Sequence, residues 1–499
     1  MPTNSSHQLT SESVHDYQTL QKYAYAISNQ PSVPSPELPS DLQGLTYDEY
    51  RLMAFDLSKG IWKNESPYWL EFFHRGFVHQ DQVEVNTIVN NQSKRLPFSK
   101  DYFEYRGQMA EREIPDSTGF AGMRVAGYFP LDDDPQEMLT YVGSSYYRAR
   151  TAAGVYGTSS RGLAVNIGLN KAEEFPAFRQ FWVRRPAAED QNLEILALLD
   201  GESVTGAYQM TLKPEPKTTH IDVKATLYFR SVPDKLGIAP LTSMWMWGDG
   251  IKPPPLDSRP HVHDSDGLLV LSDDQHWTWR ALNRQSYPSL TALSFDQVHG
   301  FGLMQRDTEY SHYLDDEAKY HLRPSVWVTP TRPFQAGHIE LLELPGVHEG
   351  IDNIAAYWVP KDVTVSQPLD LEYRVSFFAG NHPQEDWLAT ARRVDVSRTS
   401  ENVLLKVNFD GNAIQQLSLE TPLELDLSTV RGEVVQQSLV ANKDGSRTAK
   451  IAIRPTEDAP FEIRVTLKDA NRTISETWSY LCSLKAPRYH FPQVYTRIE

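Results

Sequence analysis

The sequence predicts an all-β protein, a large β-sandwich of many strands followed by a small immunoglobulin-like one. Three observations carry this. Short runs rich in Val, Ile, Tyr, Phe and Trp recur between clusters of Gly, Pro, Asn and Asp, the texture of antiparallel strands joined by turns. No strand–helix alternation, Gly-rich phosphate loop or fixed-period repeat interrupts them, which also makes nucleotide binding improbable. After the polar stretch that follows Phe378, alternation becomes cleaner: Val403, Leu405, Val407 and Phe409 against Leu404, Lys406 and Asn408. Half-buried strands of a small sandwich alternate in this way.

Taken in order, residues up to about 45 are polar, with a helical pattern over 17–27 and then Pro31, Pro34, Pro36 and Pro39. Tyr47, Tyr50, Met53 and Ala54 share a helical face, so a second short helix is expected over 47–57. Strands are expected over 69–73, 82–89, 123–128, 163–167, 181–184, 193–199, 208–212 and 220–229. Phe461, Ile463, Val465 and Leu467 mark a later strand. The expected organisation is a polar, Pro-rich lead-in over 1–40, a large sandwich over 41–385 and an immunoglobulin-like domain over 396–499. The connector falls between about 383 and 398, beginning at Pro383.

Composition narrows the function. Lys and Arg number 48 against 65 Asp and Glu, a formal net charge of −17. Such a chain repels phosphate backbones and anionic lipid, so no nucleic-acid partner and no membrane insertion are expected. No apolar run approaches the roughly 18 residues of a spanning helix. The single Cys482 excludes an internal disulfide and a Cys-rich zinc site, and reads as a small core residue. The first residues carry neither a basic nor an apolar signal region, so either the protein is cytosolic or the numbering begins after a removed signal.

Three clusters could hold chemistry. The first is Arg259-Pro-His261-Val-His263-Asp264-Ser-Asp266-Gly267. It reads as a turn ending a strand, as catalytic carboxylates, or as a metal site for which a convincing ligand set is missing. Asp-Ser-Asp-Gly resembles the start of a calcium loop, but the later ligands are absent. The second interleaves acids, arginines and aromatics: Arg306, Asp307, Tyr310, Asp315, Tyr320, Arg323 and Trp327. Sugars are held by such sets, and an exposed charged loop explains them equally well. The third runs from Glu340 and Glu343 through Glu349 and Asp352 into an apolar strand. Loop carboxylates between buried strands suit acid/base work, although solvated loop acids are commoner. Ser144, Ser145, Ser159 and Ser160 lack a nucleophile-elbow context, so a serine hydrolase has no support.

A set of motifs then matches something specific. Tyr47-Asp-Glu-Tyr50, Phe72-Phe-His-Arg-Gly-Phe77, Gly119-Phe-Ala-Gly122, Tyr146-Tyr-Arg148, Ser160-Arg-Gly-Leu-Ala164, Glu174-Phe-Pro176, Ala239-Pro-Leu-Thr-Ser-Met244, Arg259 to Gly267, Gly302 to Asp307, Leu322-Arg-Pro-Ser325, Asp352-Asn353 and Ser475-Glu-Thr-Trp-Ser479 occur in order. Together they closely resemble the bacterial periplasmic glucan biosynthesis family, proteins G and D. The resemblance implies a galactose-mutarotase-type β-sandwich followed by an immunoglobulin-like domain, a periplasmic location, and mature-form numbering as the reason no signal is seen.

It also implies an inverting endo-β-1,2-glucanase acting on β-1,2-glucan within osmoregulated periplasmic glucan biosynthesis. A transglycosylase using the same residues and a non-catalytic glucan-binding scaffold are the alternatives. By the same resemblance the general acid falls on Asp352, the general base on Asp264 with Asp266 as its competitor, and a substrate-binding tyrosine on Tyr320. Arg323, Asp266, Arg306 and Glu349 complete the expected substrate contacts. No cofactor and no metal are expected, and a homodimer is left open. The chemistry is consistent, because an inverting glycosidase needs one protonated carboxyl and one carboxylate roughly 6.5–9.5 Å apart. For Asp352 to act as the acid near neutral pH, its pKa has to be raised.

Overall fold

β-branched and aromatic residues dominate the runs between turns, and the chain folds accordingly. In a computed structural model, 48% of the protein is strand, arranged in several sheets with no barrel, and α-helix is confined to three short segments among the described residues. The structure describes residues 9–273, 276–382, 387–470 and 472–485. The architecture is an all-β sandwich. Among the described residues no helix is long and apolar enough to cross a membrane.

The chain divides into two compact units. One comprises residues up to Pro240 with Thr329–Arg332 and Val359–Phe378; the other comprises Leu241–Val328, Pro333–Trp358 and the chain from Ala379 onward. The first unit holds a run of antiparallel strands, Tyr68–His74, Phe120–Tyr128, Pro135–Val142, Tyr146–Ala149 and Ser159–Arg161. A second run contains Glu84–Val89, Ala177–Arg184, Leu193–Asp200, Val204–Pro214, Thr218–Phe229 and Leu369–Phe378. The two meet through rings: Tyr141 of the first packs on Phe178 and Phe181 of the second at centroid distances of 6.2 and 5.0 Å.

The N-terminal segment is folded onto this unit. Helix Tyr17–Ser28, capped by Asp16, buries Leu20, Tyr23 and Ala24 against Trp182, Leu196, Leu198 and Ala207. The helix expected over 47–57 is shorter than predicted. Only Tyr47–Tyr50 is helical, because Met53–Phe55 pairs with Phe103–Tyr105 as a strand.

The second unit carries the candidate site. Gly267–Ser272 pairs with Trp277–Ala281 and with Gln297–Met304, and a short ribbon joins Trp245–Trp247 to Val262–His263. Near the C-terminus, Thr390–Arg398, Val403–Asp410, Arg447–Pro455 and Gly432–Ala441 form a four-stranded sheet. Val403, Leu405, Val407 and Phe409 are buried there, on the face their alternation marks. Thr477–Cys482 runs parallel to Trp277–Ala281, so the C-terminal strands join the sheet that carries the site. Pro383 lies outside the described residues. The polar stretch behind it includes the edge strand Thr390–Arg398, which is polar because its outer face, with Arg392, Arg393 and Asp395, is exposed. The compact units part at Pro240 and Leu241, whereas the division near 385–396 stands as a proposal about folding units.

Candidate active site

The site is built around residues 242–245, at the end of a buried strand. Thr242 Oγ1 donates to Asp352 Oδ2 at 3.2 Å, and the amide of Asn353 donates to the carbonyl of Ser243 at 3.0 Å. Asn353 also accepts from the Trp245 amide at 2.8 Å and donates to the Trp245 carbonyl at 3.0 Å. One residue along the same segment, the carbonyl of Met244 accepts from the amide of Asp264 at 2.8 Å. Asp352 and Asp264, 88 residues apart in the chain, are thereby hung on one four-residue support. Asp352 is half-buried and Asp264 is buried.

Asp264 is paired with the Arg323 guanidinium. That guanidinium lies 4.5 Å from the centroid of the Tyr320 ring, and Arg323 Nε donates to the Ala318 carbonyl at 3.2 Å. The Tyr320 hydroxyl donates to Glu349 Oε2 at 2.9 Å. Burial, and after it the Glu349 charge, pushes the Tyr320 phenol well above its ordinary value, so it stays a donor. Glu349 Oε2 also accepts from Arg259 Nη1 at 2.8 Å, and Arg259 pairs further with Asp315 and Asp257 at 2.8 and 2.7 Å. Tyr320, Arg323, Glu349, Asp264 and Asp352 are therefore assembled within one unit, from three stretches of chain.

Asp266 and Arg306, also expected at the substrate, are turned inward. The chain bends at Asp264 and again at Asp266 before entering the strand from Gly267. Asp266 Oδ2 accepts the amides of Arg306 and Asp307 at 3.2 and 3.3 Å, while Oδ1 is buried with no hydrogen-bond partner. It faces a cavity of about 60 Å³ that His261, Asp249, Asp307 and Arg393 also line, enough for a water or two. Burial, only partly offset by Arg306, raises Asp266 to about 7. The Arg306 guanidinium lies 3.6 Å from the Trp279 ring centroid and is clamped by both oxygens of Glu476 at 2.9 and 2.7 Å, with both side chains buried. Glu476 Oε1 also accepts the Ala391 amide at 2.8 Å.

His261 and His263, from the same motif, are engaged with other groups. His261 lies 3.5 Å from Asp249 and 3.5 Å from Asp307. Burial opposes its charge, but these two acids outweigh burial and lift it to about 9. His263, lowered to about 3 by burial and then by the charge on His261, is a neutral core residue bonded to Gln305 at 2.9 Å. Glu343 is spent on Arg280 at 2.8 Å, and Glu340 accepts from Tyr357 at 2.8 Å. Among the described residues no three His, Cys, Asp or Glu side chains converge so as to hold a metal ion. Sequence reading passed over Thr242, Asp257 and Glu476 as functional partners. Thr242 and Glu476 act through partners 110 and 170 residues away, and Asp257, although bonded to Arg259 two residues on, joins the site only through the network that Arg259 closes with Asp315 and Glu349.

Comparison with known proteins decides the family. Residues 15–482 match the family model described as "Periplasmic glucan biosynthesis protein, MdoG". The chain belongs to this family. A glucans biosynthesis protein G from Ralstonia nicotianae is 36% identical over 466 residues, covering 90% of this chain and 92% of that protein. As a member of the periplasmic glucan biosynthesis family, the chain has a role in glucan biosynthesis. Among solved structures, a GH36 α-galactosidase from Geobacillus stearothermophilus aligns at 10% identity with a TM-score of 0.22, covering 52% of this chain and 39% of its own. A polysaccharide lyase aligns at 10% identity with a TM-score of 0.24, covering 73% of this chain and 44% of its own.

Proposed function

We propose that this family member is an inverting endo-β-1,2-glucanase of the periplasm. The observation that carries the reading is the common anchoring of Asp352 and Asp264 on residues 242–245, beside a buried tyrosine and two arginines. Asp352 is the general acid: it protonates the glycosidic oxygen as the bond from that oxygen to the anomeric carbon breaks. Water attacks the anomeric carbon from the opposite face, and its proton passes to the Asp264 carboxylate, directly or along hydroxyls. Arg323 compensates the charge of Asp264, while Tyr320, Arg323 and Glu349 hold sugar hydroxyls. Asp266 and Arg306 hold the loop from behind and do not touch the glucan. A net charge of −17 sets up no repulsion against a neutral polymer.

The test is to incubate the protein with linear β-1,2-glucan, size the products and read their anomeric form as they appear. Shorter chains released with inverted configuration are expected. Products longer than the substrate would replace hydrolysis by transfer. Tight binding without turnover would replace both by the scaffold reading.

A further inference from the structure

The catalytic reading leaves Arg259 without a task, although its guanidinium touches three carboxylates from three stretches of chain. Its Nε and Nη2 face Asp257, two residues back, at 3.0 and 2.7 Å. Its Nη1 reaches two oxygens at once, Asp315 Oδ2 and Glu349 Oε2, both at 2.8 Å. One amino group is thereby shared between the loop that leads to Tyr320 and the loop that leads to Asp352. The Trp247 indole donates to the Arg259 carbonyl at 3.0 Å, which anchors the arginine's own backbone.

Each loop passes that hold toward one carboxylate of the proposed pair. Asp315 Oδ1 accepts the amides of Glu317 and Ala318 at 3.0 and 2.7 Å. The Ala318 carbonyl then accepts from Arg323 Nε at 3.2 Å, and Arg323 is the partner of Asp264. On the other loop Glu349 stands three residues before Asp352, in a turn closed by the Ile351 amide on the His348 carbonyl at 3.1 Å.

The first loop needs holding. Leu314 and Lys319, which bracket Asp315, have φ of 54° and 50°, a left-handed backbone that residues other than glycine adopt at a cost. Such a conformation persists where its surroundings fix it. Burial works against the charges on Asp257 and Asp315, but hydrogen bonds, those from Arg259 foremost, outweigh it and keep both carboxyls below their ordinary range. Without the guanidinium, three like charges would face one another.

We propose that Arg259 is a positioning residue, a clasp that ties the loop carrying Glu349 and Asp352 to the loop whose Arg323 holds Asp264. Residues 242–245 fix the backbones of the pair; Arg259 fixes their side-chain partners in register across it. Small misplacements of such partners are costly to a rate. This role rests on the glucanase reading for its kinetic consequence, whereas the clasp itself does not depend on what is cleaved.

The experiment follows amide hydrogen exchange and glucan cleavage in the full chain. Arg259→Met should speed exchange over both 310–323 and 344–353 by about ten-fold or more, with the strand Gly267–Ser272 unchanged. It should also lower kcat on linear β-1,2-glucan by about 10–100-fold. Arg259→Lys keeps the charge but cannot reach all three carboxylates, so it should fall between the wild type and Arg259→Met, and it serves if the methionine variant fails to fold. Adding Asp257→Asn and Asp315→Asn to Arg259→Met removes two of the facing charges. That triple variant should regain the unfolding midpoint while kcat stays low. Recovery of kcat along with the midpoint would mean that Arg259 only balances charge, and the proposal would fall. Faster exchange in one loop alone, or wild-type kcat in Arg259→Met, would also overturn it. A wild type that leaves the glucan uncut removes the glucanase reading instead, and exchange in the two loops still decides the clasp.

Discussion

Asp264 and Asp266 are separated by one serine, yet the two sides of their loop are electrostatically unlike. On one side Asp264 meets the Arg323 guanidinium, which joins it to Tyr320 and, through Glu349, to Arg259. On the other, Asp266 meets two backbone amides and a small cavity, while the nearest guanidinium, that of Arg306, is already spent on Glu476. An i, i+2 pair on a straight strand would share one face. The bends at 264 and 266 put the two carboxyl groups into different surroundings. Residue type and spacing therefore cannot rank two candidate bases; the partner that each one faces can.

The largest expected effect breaks the comparison outright. Asp352→Asn and Asp264→Asn should each reduce glucan cleavage by about 10²–10⁴-fold, the scale of a lost general acid or base, and Asp352→Asn should leave the unfolding midpoint unchanged. Asp266→Asn should stay within about ten-fold of wild type by the same standard. If the Asp264 and Asp266 variants exchange ranks in an initial-rate assay, the base belongs to Asp266.

Glu476→Ala comes next. It leaves Arg306 charged and buried without its partner, so urea unfolding should show a loss of about 3–5 kcal/mol. A loss below about 1 kcal/mol would mean that the inner side of the loop is not held by this pair.

The inner carboxyl also predicts a pH dependence. Asp266 titrates at about 7 when folded, against an ordinary 3.8. Between those values the folded protein keeps a proton that the unfolded chain has released. Stability from this group is therefore complete below about pH 4 and is lost as pH rises through 7. Asp266→Asn should flatten the stability–pH curve by up to about 4 kcal/mol across that window. A variant and a wild type that change in parallel from pH 4 to 7 would contradict the inward placement of its carboxyl.

Tyr320→Phe should have the smallest effect on folding. It removes one hydrogen bond to Glu349, which Arg259 still compensates, so unfolding should lose about 1 kcal/mol. Its reading in activity should be a raised KM for glucan. A fall in kcat alone would move Tyr320 from binding to chemistry.

Much of the fold was legible because strands advertise themselves locally. The eight runs marked in the first half all lie in or against observed strands, for example 193–199 within Leu193–Asp200 and 220–229 within Thr218–Phe229. Failures came where local preference met a tertiary partner. Met53 and Ala54 suit a helix, but pairing with Tyr105 and Glu104 makes them strand. The stretch around 390–398 looked like a connector, because an edge strand with one exposed face carries as many polar residues as a loop.

The sequence by itself determined the all-β class, the acidic net charge, the family motifs and the short list of carboxylates from which a site could be drawn. These depend on composition, period-two patterning and residue order, all of which are properties of the chain before it folds. Only the tertiary structure decided that Asp352 and Asp264 hang from the same four residues, that Asp266 and Arg306 face inward, and that Glu476 holds Arg306 from 170 residues away. Hydrogen bonds and ion pairs between distant segments have no periodicity to announce them. A carboxylate's charge state and reach are set by what folding brings beside it, not by its neighbours in sequence.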